Sequence, residues 1–415
     1  MNRKMITILC LIPLFGFFMG ITAHLCAQEK TLKPSYAGEE LAKVREWEKT
    51  WVGKKIDSTN VDQVKDLLPD GVYLLWKQKE RFGKHWFQIV PYRTLTTPPG
   101  RTKYTLEGKC KVGPNDELIG WVAGTPFPEP KSGIEVAWNF NSWNRADGLN
   151  KLADGYTVDG RLKYDRYLQN RPILIQFYGR CDVPPTPEII PNPKRLFRCS
   201  YFEFFEPTEV KGQCGLTARY VDQSQAYDTW IYIPSIRRIR RVSTAQRTDT
   251  TGGGDFCYDD NYGWDGNIQR QTYKLLATKD MLFSRHQDMN LLEHKAGDLI
   301  WNGITRERIK VYVVEAICHD PGYIYAKSIW YVDPELWCIL GVDNYDKYGK
   351  LWKVIDQFYE PCKTAKGYEE SEFTSLMLVD VQRLHATLSK VPEYKAGVDL
   401  PLSMFTINYL DRSGR

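Results

Sequence analysis

Three runs decide the fold class: Ile309-Lys-Val-Tyr-Val-Val-Glu-Ala-Ile317, Tyr323-Ile-Tyr-Ala-Lys-Ser-Ile-Trp-Tyr-Val332 and Trp337-Cys-Ile-Leu-Gly-Val-Asp343. Each is short and rich in the β-branched and aromatic residues that suit a pleated surface. The first stops at His319-Asp-Pro-Gly322 and the second at Asp333-Pro334, residues that turn a chain. Strands joined this tightly must run antiparallel, because a parallel return needs a crossover of about a dozen residues. The signature repeats outward at 72–76, 85–92, 171–179, 199–205, 216–221, 227–233 and 273–277. Alternating βα units are absent, which argues against a doubly wound parallel sheet. The expectation is a mainly β (α+β) protein built on one large antiparallel sheet.

Helical patterning is confined to the ends. Tyr36, Leu41, Val44, Trp47 and Trp51 recur at three- and four-residue steps within 34–68, and Asn60 is placed to cap a short second helix that stops before Pro69. Phe373, Leu376, Leu384 and Leu388 predict a late helix over 373–389. Between the strands, 122–156, 180–198 and 243–270 read as long irregular passages, and loops of that length usually serve a function or cover something.

Arg3 and Lys4 precede an apolar run to Ile21, the pattern of a secretory signal with cleavage expected after Ala27. A retained anchor and lipidation at Cys26 are the alternatives. The chain divides into a signal peptide (1–27), an N-terminal helical segment (28–70), a β domain with long inserted loops (71–363) and a C-terminal helix and tail (364–415). Of ten cysteines, Cys10 and Cys26 fall in the signal region. The other eight (Cys110, Cys181, Cys199, Cys214, Cys257, Cys318, Cys338 and Cys362) form no C-x-x-C, and an even count in an exported chain predicts disulfides. Arg3 and Lys4 account for two units of the formal charge of +5, so the mature chain is nearly neutral, against a nucleic-acid partner.

No catalytic constellation stands out. Histidines such as His286, His294 and His319 are scattered, and no H-E-x-x-H, G-x-S-x-G or phosphate-loop sequence occurs. Gly252, Gly253 and Gly254 read as a flexible turn. Asp255, Asp259, Asp260 and Asp265 share a loop with Tyr258, Asn261, Tyr262, Trp264 and Asn267. Such oxygens suit Ca²⁺, and paired acids beside aromatic rings suit a sugar-cleaving cleft, yet self-bonding within the loop is the plainer reading. Arg237, Arg238, Arg240 and Arg241 form the densest basic patch. In a strand they cannot all face one way. They are expected to form an electrostatic rim with Asp255, Asp259 and Asp260, or to meet anionic lipid.

Several of these residues carry a resemblance. Trp230-Ile-Tyr-Ile-Pro-Ser-Ile-Arg-Arg-Ile-Arg-Arg-Val242, followed by Asp259-Asp260 and Gly263-Trp-Asp-Gly266, resembles the W-I-Y-L-P-x-x-R-R-V-R-R segment and Asp/Gly-rich loop of the envelope family defined by domain of unknown function 1329. Trp264-Asp265 stands where that family usually has F-x-G. Val122-Ala-Gly-Thr-Pro-Phe-Pro128, Gly133-Ile-Glu-Val-Ala-Trp-Asn-Phe140, Tyr325 to Asp333 and Asp343 to Lys353 match its other motifs in order. The resemblance implies the fold of the carriers and receptors that move lipoproteins to the outer membrane: a strongly curved sheet, an incomplete barrel, with helices over an apolar hollow. It implies no catalytic residue. Its members tend to be encoded near envelope exporters.

The expected function is therefore binding or shuttling of a lipid or other hydrophobic molecule, in the periplasm or at the outer membrane of a Gram-negative cell. An exporter and the membrane surface are the further expected partners, and no cofactor is expected beyond Ca²⁺ at the acidic loop. Trp138, Phe140, Trp230, Tyr232, Tyr325 and Trp330 are the candidate cavity wall, because ligand sites are concave and mostly apolar. A hydrolase using Asp255 to Asp265 and a structural subunit of an export complex are the alternatives.

Overall fold

The computed structural model describes residues 34–143, 145–250 and 253–414. The expected signal segment, with Cys10 and Cys26, and Gly252 lie outside the described residues. Five helices matter here: α1 (Gly38–Trp51), α2 (Asp70–Lys77), α3 (Pro99–Glu107), α4 (Gly133–Ser142) and α5 (Ile407–Ser413).

Apart from a two-stranded hairpin of Lys111–Val112 and Leu118–Ile119, the strands are β1 (Lys55–Ile56), β2 (Phe87–Ile89), β3 (Gly148–Val158), β4 (Tyr164–Gln176), β5 (Leu196–Glu206), β6 (Cys214–Tyr220), β7 (Asp228–Ile233) and β8 (Arg238–Val242). They continue as β9 (Gln271–Phe283), β10 (Ile304–Cys318), β11 (Lys327–Val332), β12 (Ile339–Tyr345), β13 (Leu351–Lys363), β14 (Glu369–Asp380) and β15 (His385–Ala396). All join one 15-stranded sheet in the order β1-β2-β10-β11-β12-β13-β14-β15-β3-β4-β5-β6-β7-β8, with β9 also paired to β10. Its pairings are antiparallel except β2 against β10, and its ends do not meet, so the sheet is open and mixed.

The three opening runs supply β10, β11 and β12, antiparallel in succession. Alternation along them feeds two cores. Ile309, Val311 and Val313 join Tyr36, Val44 and Tyr92 of the N-terminal segment, whereas Tyr312, Val314 and Ala316 join Val136, Trp138 and Phe140 of α4. Successive strand residues face opposite sides, so the middle of the sheet is covered on both faces. Gly133 makes the α4 contact possible: a Cβ there would lie 2.7 Å from the Tyr273 backbone of β9.

A buried ion cluster ties the N-terminal segment to this frame. Arg285 meets Glu307 at 3.2 Å, Asp333 at 3.1 Å and Glu335 at 3.2 Å. Glu335 also accepts hydrogen bonds from the Ser35 and Leu95 amides (2.6 and 2.8 Å) and from the Tyr92 hydroxyl (2.9 Å). Burial opposes the Glu307 charge, but Arg285 and His286 together pull its pKa down to about 2.

Four expectations are corrected. Residues 373–389 are no helix: they form the end of β14, a turn and the start of β15. Leu376, Met377, Leu378 and Val379 are all buried, so neither period is visible. Residues 72–76 are no strand but lie in α2, whose Val72, Leu75 and Trp76 share one buried face. The passage 122–156 is not irregular throughout, since it contains α4 and most of β3. Finally, all eight cysteines among the described residues are free thiols. The sheet register sets several against other residues: Cys199 opposite Ala218, Cys214 opposite Glu203, Cys318 opposite Gln271 and Cys362 opposite Glu370. Burial pushes Cys199 up to about 12 and Cys214 to about 11, which keeps both protonated.

A candidate ligand cavity under the acidic loop

Beyond the packed middle, the face of β15, β3, β4, β5 and β6 bounds a cavity of about 260 Å³. Its wall follows strand alternation: Leu149, Ala153 and Gly155 from β3, Leu168, Pro172 and Leu174 from β4, and Phe202 and Phe204 from β5. Leu376 of β14 and Val391 of β15 complete the apolar side.

The acidic loop covers part of the cavity. Gly254, Phe256, Tyr258, Asn261, Tyr262 and Asp265 face into it, while Asp255, Cys257, Asp259 and Asp260 are buried away from solvent. Each carboxylate has a partner on the frame. Asp255 meets His385 Nδ1 at 2.5 Å and accepts from the Thr387 hydroxyl at 3.2 Å. The Asp255 carbonyl accepts from Lys353 Nζ at 2.6 Å. Arg247 Nε donates to Asp259 at 2.7 Å, and the Tyr323 hydroxyl donates to the same carboxylate at 3.2 Å. Asp260 accepts from the Tyr325 hydroxyl at 3.0 Å and from the Cys257 amide at 2.9 Å. Gly263 completes the docking, because its φ of +87° suits glycine and a Cβ there would lie 2.7 Å from Ile339.

Asp265 sits where loop and wall meet. Arg219 Nη1 donates to it at 2.6 Å and Arg247 Nη2 at 3.2 Å, and Arg198 Nη2 lies 3.5 Å away. Burial opposes the charge on Arg247, yet Asp259 and Asp265 hold its pKa above the ordinary arginine value. Burial raises Tyr258 to about 12 and raises Asp260. The hydrogen bond to Asp255 is the largest influence on His385, and it raises that pKa. No group of three or more His, Cys, Asp or Glu among the described residues is arranged to hold a metal ion.

The aromatic side chains expected to form the wall lie elsewhere. Trp138, Phe140 and Trp330 are packed core between α4 and the sheet, with Phe140 and Trp330 edge-on at 5.8 Å. Tyr232 is buried with Leu410 of α5, and Trp230 packs on that cluster. Tyr325 serves the loop through Asp260. The strand arginines do not hold the acidic loop either. Arg237 is left-handed at the turn before β8, and Arg238, Arg240 and Arg241 are exposed along that edge strand. Arg241 pairs with Asp228. Arg247, Arg219 and Arg198, solitary in sequence, take the role expected of the cluster. The motifs quoted above do not include Arg198 or Arg219; they meet only through the pairing of adjacent strands β5 and β6. His286 meets Glu307 at 2.6 Å, His294 meets the Asp298 carbonyl at 2.6 Å, and His319 meets the Thr272 hydroxyl at 2.9 Å.

An open β sheet, helices on its faces and a cavity partly covered by a pinned loop define the class of molecule. Residues 55–410 match the family described as protein of unknown function (DUF1329), and the chain belongs to that family. An uncharacterised Pseudomonas aeruginosa protein, PA3922, is 23% identical over 343 residues, covering 74% of this chain and 70% of the relative. A solved DUF1329 family protein from Desulfovibrio piger is 17% identical with a TM-score of 0.49, covering 67% of this chain and 97% of that one. A Vibrio parahaemolyticus domain described as of the outer-membrane lipoprotein-sorting kind is 16% identical with a TM-score of 0.49, covering 68% and 98%. No helix among the described residues is long and apolar enough to cross a membrane.

Proposed function

We propose that this protein is a non-catalytic binding protein of the bacterial envelope that takes the apolar part of a lipid-like molecule into the cavity beneath the acidic loop. One observation carries the reading. A cavity of about 260 Å³ is walled by Leu149, Leu168, Leu174, Phe202, Phe204 and Val391, while the loop above it is fixed by buried ion pairs. Concave, mostly apolar sites with a few placed polar groups are where small ligands bind. The acidic residues are anchors for the cover in this reading, since His385, Arg247, Tyr323 and Tyr325 already engage them.

A cavity-filling substitution tests it. N-phenyl-1-naphthylamine should fluoresce on binding the unaltered protein, and dodecanol should displace it. Ala153→Trp should cut that binding at least about tenfold, the scale of losing a small apolar contact area. Unchanged binding in Ala153→Trp would place the probe elsewhere. Turnover of lipid esters that disappears in Asp259→Asn, with probe binding intact, would replace this reading with a hydrolase.

A further inference from the structure

The cavity is not uniformly apolar. Lys151, Arg198, Arg219 and Arg247 line it, against Asp265 as the one lining carboxylate among the described residues. Lys151 is taken by Glu372 at 2.5 Å, and Arg247 by Asp259 at 2.7 Å, both behind the wall. That leaves Asp265, which Arg247 also contacts, as the carboxylate shared by Arg198 and Arg219; Arg219 Nη2 donates besides to Asn141 Oδ1 at 3.2 Å and to the Gly266 carbonyl at 3.3 Å.

These two arginines are an unusual pair. Arg198 of β5 stands directly opposite Arg219 of β6 in the sheet register. Like charges at that position repel. Both are buried, at 3% and 4% exposure. The Arg198 Nη1 and the Arg219 Nε have no hydrogen-bond partner among the described residues, although burial leaves neither exposed to solvent. A third guanidinium, Arg145, is fully buried behind Tyr262, 4.4 Å from its ring, with no carboxylate in ion-pair contact among the described residues. Buried cations require compensation, and a donor without a partner costs about 1–3 kcal/mol. The compensation the lining itself offers falls short of the cations that face the cavity.

We propose that the cavity binds an amphipathic molecule with an anionic head, a carboxylate or phosphate monoester. The head completes the Arg198–Arg219 pair and the hydrocarbon chain lies along Leu149, Leu168 and Phe202. This inference rests on the cavity proposed above and adds the head-group class. Arginine suits the role because it stays charged when buried and its N–H groups make charge-assisted hydrogen bonds to oxyanions; here each of the two contributes the nitrogen left unpartnered among the described residues. Asp265 sets the limit: it already occupies one side of both arginines, so the site takes one small oxyanion.

Four twelve-carbon probes separate the claims by calorimetry on the full mature chain: dodecanoate, dodecyl phosphate, dodecanol and dodecyltrimethylammonium. The two anions should bind about tenfold or more tightly than dodecanol, the scale of a charge-assisted hydrogen bond, with the cation weakest. Arg198→Gln should bring dodecanoate to the level of dodecanol, and Arg198→Lys should keep part of the preference. If Arg198→Gln fails to fold, the probe series on the unaltered chain and Arg198→Lys decide. Equal binding of all four, or an anion preference that survives in both Arg198→Gln and Arg219→Gln, overturns the head-group inference and leaves the cavity standing. No binding of any probe overturns both. Tighter binding of dodecanoate than of dodecyl phosphate assigns the carboxylate, and the reverse assigns the phosphate.

Discussion

Asp343 shows how burial writes pH dependence into this molecule. It lies on β12 beneath α2, accepting hydrogen bonds from the Gly71 amide at 3.2 Å and the Tyr331 hydroxyl at 3.0 Å. Burial pushes its pKa up to about 7, with no cation among the described residues in contact to offset it. An unfolded aspartate titrates near 3.9. Between those values the unfolded chain has released a proton that the folded chain retains, so stability falls as pH rises through the window. The slope reaches about 1.4 kcal/mol per pH unit at most. Glu370, raised to about 7 by burial, adds a term of the same sign. Urea unfolding near pH 4.5 and pH 7 should therefore show a loss across the window that is clearly smaller in Asp343→Asn. Equal losses in the two proteins would show that Asp343 is ionised throughout. The carboxylate was visible in the sequence within the Asp343 to Lys353 motif, but its surroundings were not, because Gly71 and Tyr331 reach it only through tertiary structure.

At the scale of elements, the acidic loop is the part whose role changed most between sequence and structure. Its length and acidic, aromatic composition made it stand out in the sequence, where self-bonding was the plainer reading. Its partners were not legible, since Arg198, Arg219 and Arg247 are scattered in sequence and the eye is drawn to Arg237 to Arg241. Edge strand β8 keeps those arginines at the surface, where an ion pair contributes about 0–1 kcal/mol. Removing Arg247 is a different matter. Arg247→Met leaves the Tyr323 hydroxyl as the remaining side-chain partner of the buried Asp259 carboxylate among the described residues, and a broken buried pair costs about 3–5 kcal/mol. Amide exchange over 254–266 should rise by orders of magnitude in Arg247→Met and remain unchanged in Arg238→Met. Equal effects would return the anchoring role to the strand arginines.

His385 makes the same loop sensitive to pH. Its pKa is raised chiefly by Asp255, so the anchor is fully present below the unfolded histidine value near 6.5 and is lost as pH rises through the higher folded value. Exchange over 254–266, corrected for its intrinsic pH dependence, should accelerate on passing from pH 6 to above neutrality. His385→Gln should abolish that acceleration; a persisting one would assign it to another group. The late helix expected at 373–389 failed for a related reason. A strand buried on both faces reads as a continuous apolar run, and such a run has no period to separate it from a helix. The meander of β10, β11 and β12 was legible because its turns carry Asp-Pro and Pro-Gly signals. Strands β13 to β15 lack signals of that strength.

For the whole molecule, β15 is the seam. It pairs with β14 on one side and with β3 on the other, setting Ala386 against Val158. This joins the meander half of the sheet to the half formed by β3 through β8, and the cavity spans that junction, with wall residues from β14 and β15 as well as from β3 to β6. Trp138, Phe140 and Trp330, expected to wall the cavity, belong to the packed middle, where both faces are covered. The hollow is walled mainly by Leu, Phe and small residues. This hollow is the proposed ligand site. Crystals grown with 12-bromododecanoate test it most directly, through the anomalous signal of bromine. Bromine is expected within the cavity near Leu149, Leu168 and Phe202, with the carboxylate toward Arg198 and Arg219. Bromine found only on the surface, or a cavity without it at saturating probe, would contradict the account.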